Sequence, residues 1–283
     1  MSKVVLVTDS STYLPQEFLD KFPIKMVPVS LIWLGEVLRD GVDIQPKEFY
    51  TRLKTAYELP TTSQPTPQAF KEEFEKLLEK GHEVLGVFLS SKLSGTFASA
   101  QQALTMLPNK AIEIIDSLTG SMGAGWPIIS AAKAALQGAS LEECKAIVTR
   151  ALKHVGILLV PDTLEYLHRG GRIGLAQRFL GDILHIKPIL EVVEGRFIGL
   201  ERVRTSQKAL KRLVDLLEAR IADRRPIHLG VLHANAPELA QQLLNEVIAR
   251  LNPEETLLAD VSPAVGAHLG PGTVGFAYMA GFS

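Results

Sequence analysis

Glu83-Val84-Leu85-Gly86-Val87-Phe88-Leu89-Ser90-Ser91-Lys92-Leu93-Ser94-Gly95-Thr96-Phe97 is the stretch that decides the fold. An apolar run of strand length stops at Ser90-Ser91, hydroxyls and a glycine follow, and Phe97 to Met106 reads as helix. Strand, polar loop and helix in that order describe the carboxyl edge of an open α/β sheet, where such folds hold their ligands. Ser94, Gly95 and Thr96 are then expected in the first helical turn, where free backbone N–H groups favour an anion. Taken alone, an ordinary N-cap with nothing bound is the plainer reading.

The chain on either side repeats the pattern. Val4 to Val7 is a buried-strand run closed by Thr8-Asp9-Ser10-Ser11-Thr12, and Pro15 suits the start of a helix to about Lys21. Met26 to Trp33 and Glu36 to Arg39 flank Leu34-Gly35 as a hairpin, and Pro46 to Thr55 is a short helix. Leu59-Pro60-Thr61-Thr62-Ser63-Gln64-Pro65-Thr66-Pro67 is too rich in proline for helix and too polar for a central strand. A helix from Gln68 to Glu79 leads back to the sheet. Ala111 to Ile115 is a strand, Asp116 to Gly123 a loop, and Gly125 to Leu136 and Leu141 to His154 are helices, the second opened by a Ser140/Glu143 capping box. Strands follow at Val155 to Val160, Ile189 to Val193, Arg196 to Leu200, Ile227 to His233, Thr256 to Val261 and Thr273 to Met279. Helices are expected at Thr163 to His168, Ser206 to Ala222 and Pro237 to Leu251, and Ser262 to Gly272 joins the last two strands. This alternation predicts an α/β protein, its first half a mostly parallel sheet flanked by helices and its second half mixed. The composition changes near Gly156, so a domain boundary is expected near 155, separating 1–155 from 156–283 across a tight interface.

Composition narrows the function. In 283 residues, 30 Lys+Arg face 31 Asp+Glu for a formal net charge of -1, which argues against nucleic-acid binding. Cys144 alone supports neither a disulfide framework nor a cysteine-rich zinc site. No apolar run reaches membrane-spanning length and the N-terminus lacks a signal-peptide core, so a cytoplasmic protein with no integral membrane segment is expected. Nominal motifs fail on context: Gly270-Pro271-Gly272-Thr273-Val274-Gly275 precedes a strand rather than a helix, and the Ser94 loop lacks a nucleophile elbow's first glycine. His228 and His233, at odd spacing on one strand, face opposite sides and share no metal. Arg169, Arg172, Arg178, Arg202 and Arg204 form a basic cluster. Arg178 reads as solvated surface, whereas Arg169-Gly170-Gly171-Arg172 is expected to turn two guanidinium forks toward one anion.

Several of these stretches together resemble the DegV family: Leu59 to Pro65, Ser90 to Thr96, Asp162-Thr163-Leu164-Glu165-Tyr166-Leu167-His168-Arg169-Gly170-Gly171-Arg172-Ile173, Ile186 to Leu190, Arg202-Val203-Arg204-Thr205 and Gly266 to Gly272. They occur in family order over nearly the whole chain. The resemblance implies a two-domain α/β protein holding one long-chain fatty acid in a tunnel between its domains, the first lipid-binding and the second bearing kinase-facing arginines. It implies a non-catalytic subunit of bacterial fatty acid kinase, serving phospholipid metabolism. The acid's carboxylate is presented to a separate ATP-dependent kinase subunit that makes the acyl phosphate. ATP and magnesium belong to that partner, and the chain itself carries no cofactor and no metal. By the same resemblance Thr62, Ser94 and His268 bind the carboxylate, with Ser63 and Gly95 beside them, while Arg172 and Arg204 stand at the phosphoryl-transfer mouth. Two positions depart from the pattern: His168 where a basic residue is common, and His185 where an asparagine is.

The residue chemistry agrees. Hydroxyls, the Gly95 N–H and an imidazole hold a carboxylate without any of them acting as nucleophile. At roughly 0.8 kcal/mol per buried methylene, a long acyl chain gains on the order of 10 kcal/mol before ordering costs, so the tail supplies affinity and the hydroxyls fix orientation. The alternative is an independent hydrolase, or a small-molecule phosphotransferase, using Ser94 and His268. A third is a regulatory interaction protein, for which the sequence offers no distinguishing feature.

Overall fold

The computed structural model describes residues 3–107, 111–182 and 186–283. The first half runs β1 (Val4–Asp9), α1 (Gln16–Lys21), β2 (Ile24–Val27), β3 (Ser30–Trp33), β4 (Glu36–Arg39), α2 (Pro46–Leu53), β5 (Thr61–Ser63), α3 (Pro67–Glu79), β6 (Glu83–Phe88), α4 (Thr96–Thr105), β7 (Ile112–Asp116), α5 (Ser121–Leu136) and α6 (Leu141–Ala151). The second runs β8 (Val155–Val160), α7 (Glu165–Arg169), β9 (Lys187–Val193), β10 (Arg196–Val203), α8 (Ser206–Ile221), β11 (Ile227–His233), α9 (Pro237–Leu251), β12 (Glu255–Asp260), α10 (Pro263–Leu269) and β13 (Val274–Ala280).

Among the described residues the strands form three sheets. One, ordered β2-β1-β6-β7, is parallel throughout. A second, β10-β9-β8-β13-β11-β12, is antiparallel except for the β11–β12 pair. The third, β4-β3-β5, is a small antiparallel sheet. This is a two-domain α/β fold in which every strand of the parallel sheet precedes β8.

The core explains how the sheets are joined. One face of the parallel sheet is covered by α3 and α4 through Phe70, Phe74, Leu77, Ala100 and Ala103. The outer face of the mixed sheet is covered by α8 and α9. Between the sheets lies α5, packed against β1 and β6 on one side and β8 and β13 on the other. Its Met122, Trp126, Ile128, Ile129 and Ala131 are all buried, as expected of a helix apolar on every face. Trp126 Nε1 donates to the Ala277 carbonyl of β13 at 3.1 Å, so the one polar atom of that ring is satisfied. Since β13 is covered on both faces, its residues are buried without alternation.

Four local expectations need correcting. The stretch Met26 to Trp33 is not one strand: it divides at Pro28, β2 pairing with β1 and β3 opening the small sheet. The proline-rich segment contributes β5, a three-residue strand at that sheet's edge. The loop expected from Asp116 to Gly123 is shorter, because α5 already starts at Ser121. Its glycines disguised a helix that must come close to β8: a Cβ on Gly123 would lie 3.0 Å from Ile157 Cδ1. Finally, Ser262 to Gly272 contains α10, with Ser262 as N-cap, Pro263 in its first turn and Gly270 at φ 77° as C-cap.

Candidate functional site

The loops after β1, β6 and β7 emerge from the carboxyl edge of the parallel sheet, and Asp9 ties the first two together. Its side chain accepts Ser11 N–H at 3.0 Å and Leu89 N–H at 2.8 Å. Burial pushes this carboxyl's pKa up, partly offset by the N–H donors. Asp40 sits just beyond, almost fully buried, accepting Ser10 Oγ at 2.7 Å and the Ala264 N–H of α10 at 3.3 Å. Burial raises its pKa to about 7. These two side chains tie together the loop after β1, the segment after β4, the loop after β6 and the start of α10.

Over that floor lies a cavity of about 610 Å³ of atom-free space, its mouth included, bordered by Thr62, Ser94, Arg172 and His268 together with Ser11 and Gln64. Thr62 reaches it from β5, opposite Leu31 of β3. Its Oγ1 lies 2.7 Å from Nε2 of His268, which the last turn of α10 presents. Ser94 precedes α4 rather than lying in its first turn; Gly95 is the N-cap and Thr96 the first helical residue. Ser94 Oγ accepts Thr96 N–H at 3.3 Å and pairs with Thr96 Oγ1 at 2.8 Å, an arrangement that keeps the hydroxyl at the loop's inner surface.

Burial, and then the Arg172 charge, push the pKa of His268 down to about 4, so the ring is neutral at pH 7. Its Nδ1 has no hydrogen-bond partner among the described residues. Gly170 fills the space beside that nitrogen, where a Cβ would collide with it. A hydrolytic triad needs a carboxylate behind the imidazole and a nucleophile in front of it. Here the ring meets Thr62, and Ser94 is engaged with Thr96.

Arg172 is held by the Leu93 carbonyl at 3.0 Å and the Gly170 carbonyl at 2.6 Å. Arg169 does not join it: one turn of α7 places Glu165 within 2.7 Å, and that exposed pair occupies the side chain. Arg204 is exposed just beyond β10 and does not border the cavity. Ser63 and Gly95 are not among the bordering residues either. Adjacent strand residues point to opposite faces, so with Thr62 turned in, Ser63 turns away, and Gly95 is covered by Gln64, whose Cδ would lie 3.0 Å from a Cβ there. Arg178 is exposed, in keeping with the solvated surface expected of it, and its guanidinium also donates to the Gly199 carbonyl and lies over the Phe179 ring. His168 is exposed on α7, and His185 lies outside the described residues.

A second cavity of about 550 Å³ continues from the first, and Leu89, Leu93, Phe197, Val265 and Leu269 border both. Its remaining wall is apolar, with Ile157 and Leu159 of β8, Val192 of β9 and Leu232 of β11 prominent. The compartment thus has a hydroxyl and imidazole head and a hydrocarbon tail, and it lies between the two sheets.

Residues 3–281 match the model of the DegV family, described as uncharacterised proteins. The chain belongs to the DegV family. It is 36% identical over 277 residues to a DegV domain-containing protein of Listeria innocua, covering 98% of each. The solved structure of a fatty-acid-binding DegV family protein from Thermus thermophilus superposes with a TM-score of 0.93 at 34% identity, covering 99% of this chain and 100% of that one. DegV of Bacillus subtilis, described as a fatty acid binding protein, superposes with a TM-score of 0.90 at 32% identity, covering 99% and 100%. Among the described residues no helix is long and apolar enough to cross a membrane, and no cluster of His, Cys, Asp and Glu is suited to a metal. Ser11 and Gln64 also border the cavity and were not among the site residues expected from the sequence. Ser11 stood in the hydroxyl run that closes the first strand and Gln64 directly after Thr62-Ser63 in the proline-rich stretch, which was the available signal.

Proposed function

We propose that this chain binds one long-chain fatty acid, its carboxylate at Thr62, Ser94 and His268 and its tail in the apolar compartment. The observation that carries this reading is the continuity of the two cavities, polar at one end and hydrocarbon-lined at the other. Neutral donors suit a carboxylate because charge-assisted hydrogen bonds form without a second buried charge. The relatives whose solved structures bind fatty acids support the same ligand class.

The chain then serves as the non-catalytic subunit of a fatty acid kinase. The carboxylate receives a phosphoryl group from ATP held, with magnesium, by a separate subunit, and Arg172 and Arg204 face that partner. The sequence contains no G-x-x-x-x-G-K phosphate loop, which favours a partner over a self-sufficient kinase. The test is to denature the purified protein, extract it and run mass spectrometry, then titrate added fatty acid. A fatty acid in the extract, or saturable binding of one, is expected; neither would end this reading. Incubation of wild type and Ser94→Ala with activated esters tests the hydrolase alternative, which requires Ser94-dependent turnover without any partner.

A further inference from the structure

Most polar groups on the wall of the head cavity are already engaged. Thr62 Oγ1 is paired with His268, Ser94 Oγ with Thr96, and Arg172 with two backbone carbonyls. Ser11 Oγ is unpaired but closed off from solvent on the floor. Gln64 stands exposed at the rim. Ser63 Oγ donates to its backbone carbonyl at 3.4 Å, but among the described residues its carboxamide has no hydrogen-bond partner. The backbone presents this side chain firmly. Gln64 directly follows β5, and residues two apart along a strand share a face, so it stands on the same side as Thr62. Pro65 keeps the residue before it extended, and Thr66 caps α3 immediately after. The carboxamide lies against Gly95, where a Cβ would be 3.0 Å from its Cδ, 3.1 Å from Nε2 and 3.2 Å from Oε1. Gly95 has an ordinary φ of -76°, so its missing side chain serves this contact rather than a turn.

A carboxamide carries two donor hydrogens and an acceptor oxygen without a net charge. With no hydrogen bond to break, it can turn its NH2 group toward the head and its oxygen toward water. Gly95 is also the N-cap of α4 and lends that helix no side-chain cap, so the carboxamide rests over a helix start that favours negative charge beneath it. No acidic side chain borders the head cavity. Glutamate has the shape of glutamine and would set a second carboxylate at the rim, so the neutral member of the pair is the one that suits an anionic head group. An uncharged head group gains less from the same donor, because a hydrogen bond to an ionised acceptor is roughly twice as strong as one between neutral groups.

We propose that Gln64 is a specificity-determining residue of the head. Its carboxamide closes over the bound acid from the rim and donates from Nε2 to the carboxylate, which sets the preference for an ionised head group over a neutral one. The proposal rests on the fatty-acid reading. Full-length, lipid-free protein is titrated with palmitate at alkaline pH, where the acid is ionised, and with hexadecanol, which has the same chain length and an uncharged head. Gln64→Ala should weaken palmitate binding severalfold and Gln64→Glu about tenfold or more. Hexadecanol affinity and the melting temperature of the lipid-free protein should stay as in wild type. Gly95→Ala keeps the glutamine but pushes its carboxamide aside, so it should follow Gln64→Ala. A palmitate-to-hexadecanol ratio that keeps its wild-type value in Gln64→Glu, or a parallel loss of both ligands, overturns the role of Gln64 and leaves the fatty-acid reading standing. Wild type that binds neither ligand overturns both.

Discussion

His268 is uncharged at pH 7 and the pKa of Asp40 is pushed up to about 7, and both follow from burial within a few residues of the same cavity. The two groups bend stability in opposite directions. Between its folded pKa of about 4 and the ordinary value of 6.5, His268 binds fewer protons folded than unfolded, so its contribution is lost as pH falls. Asp40 is the reverse: from the ordinary 3.8 up to about 7 the folded protein keeps a proton that the unfolded chain has released, so stability falls as pH rises. Asp40→Asn should therefore become more stable relative to wild type across that window, by up to about 4 kcal/mol, as read by urea unfolding at stepped pH. A flat difference would show that Asp40 does not titrate there. Gly170→Ala tests the contact behind the ring. The added methyl must displace His268 or the backbone after α7, so fatty-acid affinity should drop about tenfold or more in a competition assay, whereas Gly171→Ala, with open space around it but φ 69°, should cost stability instead. At this scale the sequence was informative about Thr62, Ser94 and His268 as residues that border one cavity. It was silent about Asp9 and Asp40, since a carboxylate in a loop shows nothing of the burial that gives it a role.

The β6 to α4 unit was legible because its signals are local: an apolar strand run, a hydroxyl loop, then an Ala-rich helix. Elements rich in glycine and proline were not. In α10 the residues that read as loop are its boundary markers, and Ser262, Pro263 and Gly270 spell a start and a stop. In α5 the glycines serve close packing between two sheets, which only the assembled fold reveals. The cap of α10 gives a prediction at this level. Ser262 is buried and its Oγ accepts Val265 N–H at 3.2 Å. Ser262→Ala should lower stability by about 1 kcal/mol, measured by chemical unfolding. The helix carries His268 at its other end, so the variant should also weaken lipid binding, while removing the exposed cap Thr205 of α8 should cost similar stability and leave binding alone.

Across the whole molecule, the two halves are stitched at the site itself. Thr62 meets His268, Leu93 meets Arg172 and Ser90 meets the Gly195 turn, each pair spanning the two halves. The apolar core is likewise continuous, joining Leu6, Val87 and Met122 with Ile157, Leu190 and Met279. A tightly bound acid that touches both walls must add to this: at free ligand a hundredfold above Kd, the folded state gains about 2.7 kcal/mol. Delipidated protein should accordingly melt several degrees lower than reloaded protein in a calorimeter, in one transition rather than two. Separate melting of the halves would mean that the shared core couples them less than its extent indicates.

The helix α5 between the sheets has a consequence for how such a chain can change over generations. It presents side chains to both halves at once, and the apolar compartment takes one wall from each. Neither half is therefore a portable module, and swapping either with that of a relative breaks a joint surface rather than exchanging a part. A change in what the compartment accepts must be negotiated by residues on both sides together, which ties the inheritance of the cavity to that of the fold.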